Sequence, residues 1–469
     1  MNAVGPRFFH AGDRGRTANT SMGSLGVPVA RLHAIVDSGA SGQAAERRPQ
    51  RRRRSSSTHQ IEYHLLLLLT LGLVAFGLIM VYSASSGIAV VNGANPLSPL
   101  VRQGIYAVLG IGCMVGAARF RYRRLRMLAP LLMLMALIGL VLVKVPGIGV
   151  RINGAERWIV AGPLTLQPSE FAKLAMVVFC AAVLTARKRP PRTIKELVNP
   201  VGLAALIVCG LVALEPDLGT TIAIAVMVTG VLIVAGTPFR LLVGTAGIVS
   251  AGAALVISQN AYMHARLLAF MHPWQDAGGS GYQNVQALLS LGSGGIWGKG
   301  LGQGTVKNGY LPEAPSDMIA AVIGEELGLI GILVTVLAFA AFAVLGFRIA
   351  MRCKDPFGKY LVAGATCLVA GQAFVNLGAV LGVLPLTGVP LPLISSGGSS
   401  LVVMLALVGV MLNVADSETA VSSRARGRTT TSDAKPKASS KRAAASADRS
   451  RRHGGTRRPG TGGGRRAVG

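Results

Sequence analysis

The sequence predicts an all-helical integral membrane protein of about ten spans, with a large outer loop between spans seven and eight and basic, disordered tails at both ends. Three observations carry this expectation. The chain of 469 residues is 51% hydrophobic, with a mean hydropathy of +0.52. Only 14% of its residues are charged, yet the net charge is +28, a pairing foreign to soluble domains of this length. The apolar residues also fall in runs of about 20, the length at which a helix crosses a hydrocarbon core.

Those runs lie at 63–83, 100–118, 127–145, 169–186, 198–215, 218–236, 240–258, 317–347, 358–383 and 397–415. An even number puts both termini on one side. The basic stretches RFRYRRLR (119–126), RKRPPRTIKE (187–196) and RIAMRCKDPFGK (348–359) fall in alternate loops. The positive-inside rule makes that side, with both termini, cytoplasmic. The loops at 144–170, 215–217, 259–316 and 385–398 then face outward and hold most of the acidic residues outside the tails.

Three domains follow: a basic N-terminal tail over 1–60, a membrane domain over 61–415 with the large loop at 259–316, and a basic C-terminal tail over 416–469. The two tails carry roughly +17 of the net charge in Arg/Ser/Ala/Gly/Thr-rich sequence that cannot bury a core. RRPQRRRR at 47–54 reads as a topogenic anchor on anionic lipid, with docking to an acidic cytoplasmic partner as the alternative. No aromatic residues interleave these arginines, so nucleic acid is not an expected partner. No cleavable leader is read at the start. Four of the five cysteines (Cys113, Cys180, Cys209 and Cys367) lie in apolar runs and Cys353 in a basic loop; all read as small packers rather than a disulfide framework.

The polar chemistry concentrates in the outer loops. YLPEAPSDMIAAVIGEELG (310–328) places Glu313, Asp317, Glu325 and Glu326 at the mouth of an apolar run, where an unpaired carboxylate is expensive. Ser316 or Asp317 suits a helix N-cap, and a carboxylate at a helix start beside water can also accept a proton. On an ideal helix Ala321, Gly324, Gly328 and Gly331 form a small-residue stripe below Asp317. Glu325 and Glu326 fall off that stripe and are expected to pair with cations as structural glue, or to face a hydrated cavity.

TLQPSEFAKLA (165–175) opens the fourth span. Pro168 fits a first helical position, Glu170 can close a capping box or pair with Lys173 at i,i+3, and Lys173 can snorkel outward to an anion. In GVRINGAERWIV (149–160) Arg151 and Arg157 run against the charge rule. They are either surface residues around a Gly/Asn turn or phosphate ligands. In LEPDLGTT (214–221) Asp217 can cap the next helix; Glu215 and Asp217 alternatively make a cation site or an arginine partner.

GGIWGKG (294–300) is not a phosphate-binding loop, because its glycine spacing is wrong and Gly300 stands where Ser or Thr is required. Lys299 and Lys307 remain candidates to meet phosphate or sugar acid groups. His264 and His272 lack a partner set for a metal. Cations, carboxylates and a flexible loop together suit an amphiphile with its tail in the bilayer and its phosphate near the arginines.

NGAERW, QPSEFAK, EPDLGTT, YQNVQALLSLGSGGIWGKGLGQG, YLPEAPSDMIAAVIGEELG and PLPLISSGGSS occur in order between the spans. Over 63–415 the chain resembles the SEDS family of cell-wall polymerases. MVYSASS (80–86) and the extended tails resemble division-type members more than elongation-type ones. The resemblance implies an inverting peptidoglycan glycosyltransferase that polymerises lipid II at the outer face of the cytoplasmic membrane during septal wall synthesis. Asp317 falls on the position of the proposed base. Arg157, Glu170 and Lys173 fall on positions lining the substrate site, as do Glu215 and Asp217, and Lys299 and Glu313 are added as substrate contacts. The resemblance also implies a divalent cation (Mg or Mn) of unknown ligands, a class B penicillin-binding transpeptidase as partner, and other division proteins, including the cytoplasmic division ring reached through the tails.

The chain departs from the family pattern at three places. Pro315-Ser316 stands where His-Thr is usual, Glu156 replaces an arginine before Arg157, and Ser396 replaces an aromatic. Two other functions compete with polymerisation: a lipid II transporter, for which Glu325 and Glu326 would be the moving charges, and a non-enzymatic division scaffold.

Overall fold

The computed structural model describes the backbone of residues 33–432 apart from 92, 153–154, 163, 188, 216, 260 and 308. Side chains are described from Gln60 to Glu418, with short gaps mostly within 152–164 and 248–266. Residues 1–55 and 56–469 form separate units. The first is helical from His33 in its described part; the core and the candidate site lie in the second.

The helices are α1 (His33–Val91), α2 (Ser98–Arg119), α3 (Arg123–Leu142), α4 (Pro168–Ala186), α5 (Ile194–Leu197), α6 (Leu203–Leu214), α7 (Leu218–Ala235), α8 (Phe239–Gln259), α9 (Ala261–Met271), α10 (Tyr282–Gly294), α11 (Ile319–Arg352), α12 (Pro356–Val380) and α13 (Gly398–Ser432). Their ends follow local rules. Pro168 and Pro356 open α4 and α12, where a missing N–H costs nothing. Asp217 caps α7, and Gly236 ends it in the left-handed region at φ 87°.

Among the described residues nine helical stretches are long and apolar enough to cross a membrane: Gln60–Val91, α2, α3, α4, Ile194–Leu214, α7, α11, α12 and Gly398–Glu418. The chain is a multi-pass membrane protein. The run at 240–258, expected as a tenth span, forms the 21-residue α8, most of whose later side chains lie outside the described residues. Of the two tails, 1–32 and 433–469 also lie outside them. The described stretches 33–60 and 416–432 are helical in backbone.

The helical expectation misses one feature. RINGAERWIV and its neighbours form a three-stranded antiparallel sheet, β1 (Gly149–Ile152), β2 (Ala155–Ala161) and β3 (Leu164–Leu166), in that order. Val150 pairs with Trp158 and Arg151 with Glu156 across a bulge. The β-branched and aromatic residues flanking an Asn-Gly pair make a hairpin favourable here. Tyr106 ties the sheet to α2 by accepting the Thr165 N–H at 3.0 Å.

The bundle centres on α12, the most buried span, which packs against α4, α7 and α11, while α13 lies along α2. Gly409 permits that second contact, since a methyl group there would overlap the Met114 carbonyl. One end of the bundle is fastened by Arg352 to Glu62 and by the Tyr122 hydroxyl to Asp355 at 2.9 Å. Burial, with Asp355 beside it, pushes Tyr122 up to about 12. The opposite end carries the sheet and the starts of α4, α7, α11 and α13.

The 34-residue α11 is broken. Gly328 adopts φ 68°, ψ −163°, a conformation that residues with a Cβ avoid. The stretch 329–352 is about 36 Å long and spans a bilayer unaided. Ile319–Leu327 forms a separate half-helix, buried at nearly every position. The stripe projected from Asp317 to Gly331 on an ideal helix is therefore interrupted at Gly328.

Candidate active site

Asp317 stands just before the half-helix and is 7% exposed. Met318, not Ser316 or Asp317, takes the N-cap position of α11, and its side chain makes no capping hydrogen bond. The turn satisfies itself instead. Glu313, at φ 55°, offers its carbonyl to the N–H groups of Ser316 and Met318. The Asp317 carboxylate lies against Gly388, where an added Cβ would sit 3.7 Å from Oδ2.

Gly388 belongs to the 384–398 segment, which forms a ceiling over this corner. The Asn376 side chain donates to the Asp317 carbonyl and to the Val389 carbonyl, each at 2.7 Å. The Ser396 N–H donates to the Pro315 carbonyl at 2.8 Å. One turn back on α12, Gln372 donates to the Pro390 carbonyl at 2.9 Å, as i,i+4 spacing allows. Gln103 of α2 donates to the Ser395 carbonyl at 3.1 Å.

The α4 residues reach the same ceiling through Gln372. Lys173 is fully buried, donating to Glu170 at 2.7 Å and to the Gln372 side-chain oxygen at 2.9 Å. Two expectations change here. Glu170 makes no cap at the start of α4, because it is committed to Lys173, and Lys173 does not snorkel, because both partners lie inside the bundle.

The turn between α6 and α7 completes the corner. Asp217 accepts the Thr220 N–H at 3.0 Å, as a capping residue should, and the Gln167 side chain at 3.4 Å. Arg157 of β2 donates to the Glu215 carbonyl at 2.6 Å. The start of α7 abuts the ceiling, since a methyl group at Gly219 would overlap Val389. Glu215 is fully buried, and neither of its carboxyl oxygens has a hydrogen-bond partner among the described residues. Burial first, and then the neighbouring Asp217, push its pKa up to about 8, against the pull of Lys144 and Arg157. Buried carboxyl oxygens without donors, two residues from a second carboxylate, fit a hard divalent cation that takes its remaining ligands from phosphate.

The remaining candidates have other surroundings. Lys299 pairs with Glu325 at 2.7 Å, two helical turns along from Asp317. Lys307 pairs with Glu326, so both glutamates are partnered, as expected of structural glue. Glu313 contributes its backbone to the turn while its side chain is exposed. Arg151, His264 and His272 are exposed, and no group of three or more His, Cys, Asp or Glu side chains poised for a metal occurs among the described residues.

Sequence reasoning missed the amides Gln103, Gln372 and Asn376. Their signal was available: uncharged but strongly polar side chains inside apolar spans need a reason to be there. It also missed a cavity of about 490 Å³ lined by Arg102, Tyr106, Trp158, Thr165, Ser396 and Gly398. This cavity adjoins the site through Ser396, and its aromatic walls and one guanidinium suit a sugar phosphate.

Fold and site together define a multi-pass membrane protein with a buried carboxylate and a lysine gathered under one loop, beside a polar cavity. The chain belongs to the FtsW/RodA/SpoVE family of cell cycle proteins, whose model matches residues 63–420, in keeping with the SEDS resemblance. It is similar to the probable peptidoglycan glycosyltransferase FtsW of Geobacter metallireducens, 40% identical over 349 residues, 74% of this chain and 93% of that one. It is 39% identical over 379 residues to the protein of the same name from Mycobacterium tuberculosis, covering 81% of this chain and 72% of that one. Among solved structures it resembles a chain from work on structural coordination of polymerization and crosslinking by a peptidoglycan synthase complex, with a TM-score of 0.63, 30% identity and coverage of 75% and 96%. The rod shape determining protein RodA of Thermus thermophilus gives a TM-score of 0.55 at 30% identity, over 75% of this chain and 95% of that one.

Proposed function

We infer that the protein is a peptidoglycan glycosyltransferase that polymerises lipid II in cell-wall synthesis. The observation that carries this reading is Asp317, a buried carboxylate just before the half-helix, held beneath a ceiling fastened by Asn376 and Gln372. In the reaction the acceptor's 4-hydroxyl attacks the donor's anomeric carbon. The new C–O bond forms as the bond to the diphosphate breaks, the hydroxyl proton passes to Asp317, and the lipid diphosphate leaves with inversion. Arg157 and Arg102 supply positive charge for the departing diphosphate. Lys173 and Glu170 hold Gln372, and with it the ceiling.

The finer parts of this reading are these. Helix α8 is the seventh of ten spans, both termini are cytoplasmic, and the site opens outward, as the basic loops require. The protein works at the division septum with a class B penicillin-binding transpeptidase, and its tails reach other division proteins. A divalent cation, held by Glu215 and Asp217, would supply charge neutralisation at the diphosphate when bound. If so, Glu215→Gln raises the Mg or Mn concentration for half-maximal rate by roughly tenfold or more, at least the loss caused by removing an outer partner of a metal ligand. An unchanged metal titration removes these two residues from that role.

The transporter reading loses support because Glu325 and Glu326 are each committed to a lysine. The deciding experiment reconstitutes the purified protein with its transpeptidase in vesicles containing labelled lipid II. Glycan chains are the expected product; movement of lipid II between leaflets without chains overturns the polymerase.

A further inference from the structure

The most elaborate charged cluster outside the site lies at the break in α11. Glu325 and Glu326 are both fully buried. Each has its own lysine from the glycine-rich loop that follows α10: Lys299 at 2.7 Å from Glu325, and Lys307 on Glu326. Glu325 also accepts the N–H and hydroxyl of Thr305 at 2.9 and 3.0 Å. The backbones interlock as well. Lys299 and Gly300 donate to the carbonyls of Glu325 and Glu326, and Leu329 and Ile330 donate back to those of Gly295 and Ile296. Methyl groups at Gly294, Gly298 or Gly328 would overlap the opposing backbone, so the two strands of this clasp touch along their main chains.

One residue ties the clasp to the rest of the bundle. Ser83 of α1 donates its hydroxyl to Glu326 at 2.7 Å and accepts from Lys307 at 2.9 Å. All three side chains are buried. At the far end of the half-helix, about 12 Å away at 1.5 Å per residue, stands Asp317.

We propose that Ser83, Lys307 and Glu326 form a positioning device for Asp317. They fix the C-terminal end of the half-helix Ile319–Leu327 against α1 and so set the place of the carboxylate at its other end. The half-helix is a stiff rod bounded by the Gly328 break, and a tilt at one end moves the other. The inference rests on Asp317 acting as the base in polymerisation.

The test compares wild type, Ser83→Ala, Ser83→Thr and Asp317→Asn in vesicles with the transpeptidase and lipid II, with thermal unfolding of each variant measured alongside. Ser83→Ala is expected to lower kcat about ten- to a hundredfold, as misplacing a reacting group does. The apparent KM for lipid II stays within about twofold and the unfolding midpoint near wild type, because one hydroxyl is lost and the Lys307–Glu326 pair remains. Ser83→Thr restores most of the rate. A kcat for Ser83→Ala within about twofold of wild type overturns the proposal, as does a fall matched by an equal fall in folded protein. The polymerase reading fails separately, if wild type makes no chains or Asp317→Asn makes them at the normal rate.

Discussion

Asp317→Asn is expected to leave a folded protein whose rate of lipid II polymerisation falls by roughly 10²–10⁴-fold, the range that a positioned base contributes. Asparagine has nearly the same shape but cannot accept the proton of a sugar hydroxyl. Little else should change. The backbone carbonyl of residue 317 still receives Asn376, and the N-cap position of α11 remains Met318. The unfolding midpoint should therefore stay close to wild type while chain formation disappears. Both are read on the same preparation, by melting and by gel separation of glycan products. A neutral residue at 317 that still supports the wild-type rate would remove proton transfer from the mechanism.

Lys173→Met carries the largest expected loss of stability. It leaves Glu170 buried at 2% exposure without its donor, and the second carboxyl oxygen of Glu170 has no partner to begin with among the described residues. Breaking a buried pair from one side costs about 3–5 kcal/mol. The double variant Glu170→Gln with Lys173→Met removes both charges and should recover most of that stability. It should not recover the rate, because Gln372 still lacks the ammonium that holds its oxygen and the ceiling loses its register over Asp317. Thermal unfolding and polymerisation of the wild type and these two variants check this. A double variant as active as wild type would reduce the pair to a packing device.

The parts of the fold written in local sequence were legible. Hydropathy located nine membrane-crossing stretches among the described residues, the Glu170–Lys173 spacing gave an ion pair, and Asp217 caps α7 as its position before an apolar run requires. Contacts between distant positions were not. Ser83 meets Glu326 across 243 residues, and nothing in MVYSASS announces a carboxylate partner. The break at Gly328 was hidden because an ideal helix was assumed through a run that stayed apolar on both sides of it. The sheet was hidden by brevity: β3 has three residues, too few for a period to emerge. The carboxylate partner that Lys299 has in Glu325 was not legible either, because the two lie 26 residues apart.

The fastenings of the ceiling, Gln103, Gln372 and Asn376, are all amides acting on main-chain carbonyls. Such groups neither gain nor lose a proton under ordinary aqueous conditions. Acidifying the medium therefore leaves these three side chains chemically unchanged. The direct ties between their spans and the loop over Asp317 are thus drawn from side chains whose hydrogen bonding does not follow acidity.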